Sequence, residues 1–202
     1  MLSGVEGVTK DRMLVMGIDV LNHSHYGSWR WPRVRHRQQR GDPDRLGTPG
    51  ALRAWLDEHW VDSGTPSDAV LLRVGDFRAL RAALIVAFRR TEEGSSPPDD
   101  VVDALNATSA MAPMWPALRI NGTAQNLKME TSEASETTRI LASIARSAIE
   151  LLGGPDAARL RECPACGRFF LASRPRQVWC SGACGNRTRV ARHRSRRGRV
   201  GA

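Results

Sequence analysis

No cysteine occurs before position 163 of this 202-residue sequence, and no acidic residue occurs after Glu162. There are only two lysines against 28 arginines, a bias that reflects genomic base composition as well as chemistry and carries little weight. Long apolar runs are missing. The longest near the start, about Met13 to Val20, is far short of the roughly 20 residues that cross a bilayer. It also lacks the flanks and cleavage site of a secretory signal. A cytoplasmic protein without a membrane partner is therefore expected. In a reducing compartment, four cysteines confined to the last fifth of the chain do not read as two disulfides. Catalytic signatures are absent too. No serine sits in a nucleophile elbow, no glycine-rich loop suits a phosphate, and no helix carries a His-Glu zinc motif. No enzymatic activity is expected.

What is present is unevenly placed. Residues 1–162 carry 20 Lys/Arg and 21 Asp/Glu, whereas residues 163–202 carry ten Arg and no acid. The whole net charge of +9 thus belongs to the C-terminus. Such segregation points to a polyanionic partner, most simply nucleic acid. With 41% hydrophobic residues the chain can build a real core, and its length allows one sizeable domain plus a small one.

Periodicity supplies the elements. Leu14 to Leu21 reads as a buried strand or a helix start, and residues 23–47 as a long loop rich in Arg, Gly, Pro, Trp and His. Thr48-Pro49 has N-cap and N1 chemistry, followed at helical spacing by Leu52, Trp55, Leu56 and Trp60. Asp76 is read as the cap of a second helix with the stripe Phe77, Leu80, Leu84, Ile85 and Phe88. Asp99 and Asp100 open a third helix, to about Ala110. Asn121-Gly122 predicts a hairpin turn between Trp115–Ile120 and Thr123–Met129. A fourth helix is expected over about Glu133 to Leu152, with Gly153-Gly154 ending it, and a short connecting helix over 155–161. The fold class is α+β: a mostly helical N-terminal domain with a β-hairpin (13–152), a connecting helix (153–162), and a small C-terminal module (163–202).

That last module carries the chemistry. Cys163-Pro-Ala-Cys166-Gly167 places two thiolates two residues apart, with a glycine that lets the chain turn past a metal. Cys180 and Cys184 follow, giving C-x2-C-x13-C-x3-C. Four soft ligands of one type suit a single tetrahedral Zn²⁺, and a closed four-thiolate site leaves no position for a water, so the zinc is structural. An iron–sulfur cluster also uses four Cys, but the spacing does not match the common ferredoxin runs. A redox dithiol needs only one pair. Phe169-Phe170-Leu171 and Val178-Trp179 read as two short strands, with Trp179 packed beside the metal. Asn186 to Arg197 reads as a helix carrying Arg187, Arg189, Arg192, Arg194, Arg196 and Arg197. Knuckle, hairpin and then a helix carrying the second ligand pair in its first turn make a treble-clef-like layout. Those arginines fit a DNA major groove or a phosphate track, or form a basic tail without specificity.

At Cys184-Gly185-Asn186-Arg187 the chain resembles the CGNR zinc-finger family. The likeness extends over Cys163-x2-Cys166, Gly167-Arg168-Phe169-Phe170, Trp179-Cys180 and the Arg-rich stretch through His193-Arg194. Upstream, Ile18-Asp19-Val20-Leu21-Asn22, the Thr48-Pro49 helix and the Ile144-Ala145 helix resemble the ABATE domain usually paired with it. The resemblance implies a bacterial transcription regulator, in some members linked to stress. Its zinc finger would bind DNA and its N-terminal domain would sense an effector. The chain departs from the family pattern at His23, where a small hydroxylated residue is usual, and at Leu171-Ala172-Ser173, where an Asp is frequent.

The candidate effector site is Asp19, Asn22, His23 and His25. Two His two residues apart on a strand point the same way, and Asp19 could complete a second metal site. A solvated loop with balanced charges is the simpler reading. The expected partners are DNA, a small-molecule effector and a second copy, with a cytoplasmic, nucleoid-associated location. The alternative is a zinc-stabilised interaction or RNA-binding protein without DNA sequence specificity.

Overall fold

The computed structural model describes residues 46–59 and 66–198. The apolar segment Leu14–Leu21 and the candidate effector residues Asp19, Asn22, His23 and His25 lie outside the described residues. The elements run α1 (Pro49–His59), α2 (Asp68–Leu71), α3 (Val74–Glu92), α4 (Asp99–Ala110), β1 (Met114–Asn121), β2 (Ala124–Thr131) and α5 (Glu136–Gly153). A 3-10 turn (Pro155–Arg159) follows, then β3 (Leu160–Glu162), β4 (Phe169–Leu171) and α6 (Gly182–Gly198). No described helix is long and apolar enough to cross a membrane.

Side-chain caps start two of the helices of the body. Thr48 caps α1 as expected: its Oγ1 accepts the Ala51 N–H at 3.2 Å. Ser135 caps α5, its Oγ accepting the Thr138 N–H at 3.1 Å. The cap expected at Asp76 is displaced. α3 begins at Val74, flanked by Arg73, and Asp76 sits in the first turn where its carboxylate accepts from the Arg73 Nε–H at 2.6 Å. The extra turn α2 carries Val70 and Leu71 into the core without any sequence periodicity to announce it.

The core is helical. Leu52, Trp55 and Leu56 of α1 meet Phe77, Leu80, Leu84 and Phe88 of α3 and Ile140, Leu141, Ile144 and Ala148 of α5. These are the stripes that the 3.6-residue period predicts. Polar ties hold the frame. Glu136 at the start of α5 accepts from the Ser67 Oγ–H at 2.6 Å, next to α2. Arg146 on α5 donates to the Ala112 carbonyl at 2.8 Å and to the Ser109 carbonyl at 3.4 Å, anchoring the C-terminal end of α4.

β1 and β2 form an antiparallel ladder that pairs Asn121 with Ala124. The two turn residues are therefore Gly122 and Thr123, one position later than the expected Asn-Gly pair. Gly122 has φ 61°, the left-handed value that mirror-image hairpin turns require at their first central residue. The 155–161 stretch, expected as a short connecting helix, is a short 3-10 helix over Pro155–Arg159 that gives way to a strand at Leu160. That strand, β3, pairs with β4, Glu162 opposite Phe169 and Leu160 opposite Leu171. The expected second strand at Val178-Trp179 does not form, because β3 takes the pairing edge instead.

Candidate metal centre and nucleic-acid face

Cys163 and Cys166 sit at the tip of the β3–β4 hairpin. The Cys163 carbonyl accepts the N–H of Cys166 at 3.2 Å and of Gly167 at 2.7 Å, and the Cys163 N–H donates to the Arg168 carbonyl at 2.7 Å. This knuckle folds tightly because Gly167 takes φ 74°, where an L side chain is strained. The second pair straddles the start of α6. Ser181 caps that helix, its Oγ accepting the Cys184 N–H at 3.2 Å. α6 therefore begins at Gly182, four residues before the expected Asn186, and Cys184 lies in its first turn.

The four Sγ atoms lie within 4.8 Å of one another. Cys166 to Cys180 measures 3.7 Å and Cys180 to Cys184 3.6 Å. Zn–S bonds of about 2.3 Å put the sulfurs of a tetrahedron roughly 3.8 Å apart. The donor set and its spacing fit Zn²⁺, and Cys163, Cys166, Cys180 and Cys184 would hold one structural ion. Without the metal, hydrogen bonds from Cys166 and then Cys180 hold the Cys163 thiol well below its ordinary range. Cys166 is pushed up to about 11, chiefly by its hydrogen bond to Cys163. Cys180 is raised for the same reason. A metal-free cluster thus keeps protons that a dication must displace, so zinc uptake releases protons and weakens as pH falls.

Two features of this module were not legible in the sequence. The first is how β4, the strand expected at Phe169–Leu171, divides its two faces. Phe169 and Leu171 belong to the helical core, whereas Phe170 and Ala172 pack with Cys163 and Cys184. Alternate residues of one strand therefore face the body and the metal. Phe169 meets Phe88 of α3 edge to face, with ring centroids 5.7 Å apart. Arg89 beside it pairs with Glu162 at 3.3 Å. The second is Gly185. A Cβ there would approach the Trp179 ring to 3.3 Å, so the glycine admits the indole against the first turn of α6. Trp179 is half-buried against the metal cluster, as a packed residue beside the ligands.

Beyond Cys184, α6 is a basic rod. Arg187, Arg189, Arg192 and Arg194 are all exposed, as is His193. None of these four arginines makes an ion pair among the described residues. The helix backbone continues through Arg196 and Arg197. Thr188 turns inward, its Oγ1 donating to the Cys184 carbonyl at 3.1 Å. The metal thus fixes one end of a helix whose free surface is cationic along its length.

Comparison with known proteins finds two family models on the chain. The ABATE family, described as "putative stress-induced transcription regulator", matches residues 26–155. The CGNR zinc finger matches residues 159–197. No curated protein matches the chain. Helical body, four-thiolate knuckle and matched spans together place the chain in the ABATE family, as a member that carries a C-terminal CGNR zinc finger.

Proposed function

We propose that the protein is a zinc-dependent, DNA-binding transcription regulator in which α6 contacts DNA. One observation carries this reading: Arg187, Arg189, Arg192 and Arg194 are exposed, without an ion pair among the described residues, on a helix whose first turn includes a metal ligand. An α-helix fits the major groove, and guanidinium groups read guanine edges or grip phosphates. Arg187 and Arg189 stand nearest the metal and have the best-held backbone. They are the candidates for base contact. Arg192, Arg194, Arg196 and Arg197 extend the phosphate track.

Under this reading the protein acts without catalysis, in the cytoplasm at the nucleoid. The helical domain senses an effector or brings two copies together. A single small module covers roughly 600–1,000 Å² on DNA, so a homodimer reading two half-sites is expected. Selection of bound duplexes from a random pool by the zinc-loaded protein tests the proposal. A shared sequence should emerge, and Arg187→Ala should erase it. Equal retention of all duplexes, with RNA bound as well as DNA, would instead favour a polyanion-binding or RNA-binding protein.

A further inference from the structure

The loop between β4 and Cys180 holds a second cationic feature, apart from α6. Ser173, Arg174, Arg176 and Gln177 line an open cavity of about 430 Å³. The loop is built to hold its shape. Pro175 occupies the second position of a four-residue turn, where its fixed φ is preset, and the Gln177 N–H closes that turn on the Arg174 carbonyl at 3.0 Å. The Gln177 side chain then braces both ends. Its Oε1 accepts from the Ser173 N–H and Oγ–H, both at 2.9 Å, and its Nε2 donates to the Trp179 carbonyl at 3.1 Å. Trp179 in turn lies against Gly185, so the loop is carried on the first turn of α6.

Gln177 is committed within the loop, but the two arginines are not. Arg174 and Arg176 are exposed, and neither makes an ion pair or a side-chain hydrogen bond among the described residues. No carboxylate side chain occurs in the chain after Glu162. Two exposed guanidinium groups within one braced turn, lining one cavity and without an ion pair among the described residues, each offer the forked donors that bind phosphate oxygens.

We propose that this turn is a phosphate-binding site, and that the phosphate belongs to the backbone of the nucleic acid that α6 engages. The proposal rests on the DNA reading given above and adds a second anchor to it. Such an anchor fixes register and orientation but carries no base preference.

The test uses the zinc-loaded full chain and a labelled duplex, titrated over a range of salt. The proteins compared are wild type, Arg174→Ala/Arg176→Ala, Gln177→Ala and Arg187→Ala, each first checked for zinc content and helicity. The double variant should bind roughly tenfold more weakly at low salt. Its plot of log affinity against log salt should be shallower by about 0.9 for each phosphate no longer neutralised. Its base preference should not change. Gln177→Ala keeps both charges and should still weaken binding, because the brace is gone. A double variant with wild-type affinity and slope would overturn the site while leaving the DNA reading, which Arg187→Ala tests separately. Wild-type affinity for Gln177→Ala would reduce the pair to a diffuse charge effect and overturn the built site. Should wild type bind no duplex, the DNA reading fails and pyrophosphate becomes the probe. Saturable shifts of the Arg174 and Arg176 Nε–H NMR signals would then support a phosphate site fed from free phosphate, and unmoved signals would reject it.

Discussion

Gly167 and Arg146 show how much single residues carry here. At Gly167 the left-handed φ of 74° closes the metal knuckle, and a Cβ would meet nothing nearer than Glu162 Oε1 at 3.8 Å. The cost of a side chain is thus conformational and not steric. Gly167→Ala should destabilise the zinc-loaded protein by about 1–2 kcal/mol in denaturant unfolding, and Gly167→Asn by less. Arg146 works through hydrogen bonds. Burial lowers its pKa from the ordinary arginine value, and Glu150 opposes that shift. Its guanidinium satisfies the carbonyls of Ser109 and Ala112, where α4 ends. Arg146→Met should leave those carbonyls without their partner and cost about 1–3 kcal/mol, read as a lower denaturant midpoint at unchanged slope.

Among the elements, β4 matters most, because its two faces serve two clusters. Phe169→Ala would open a cavity beside Phe88 and should cost about 3–5 kcal/mol of global stability. Phe170→Ala should act mainly on the other side, speeding zinc loss to a chelator with a smaller effect on the helical core. Comparable effects of both changes on both measurements would contradict the two-faced assignment.

The same elements show what could be read in advance. α1, α3, α4 and α5 were legible because their apolar stripes recur every three to four residues between recognisable caps and breakers. The four zinc ligands were legible because a knuckle spacing leaves few alternatives. α2 was not, since four residues contain no period. The partner of β4 was misplaced for a physical reason. Strand pairing depends on the knuckle bringing Glu162 back to Phe169, whereas Val178-Trp179 has equal strand character in sequence. The hairpin slipped by one residue because Asn-Gly and Gly-Thr turns differ only in register. The brace at Gln177 had no sequence signal, because a glutamine beside a Pro turn is chemically ordinary.

At the scale of the whole molecule, charge and mechanics run in the same direction. A near-neutral helical body leads through a shared strand to a metal, and the metal anchors a cationic helix. Zinc is therefore expected to govern binding as well as folding of the C-terminal module. Retention of zinc against a fixed chelator should also fall as pH is lowered, since protons return to the thiolates. The most direct measurement is competition binding at 150 mM salt, as a condition of the assay, between the chain's own upstream DNA and unrelated duplex, with zinc loaded, chelated and restored. A preference for the upstream DNA that is present with zinc, lost on chelation, regained on restoration and abolished by Arg187→Ala is the expected result. Equal binding of both duplexes, or a preference indifferent to zinc and to Arg187, would contradict a metal-anchored helix that reads DNA.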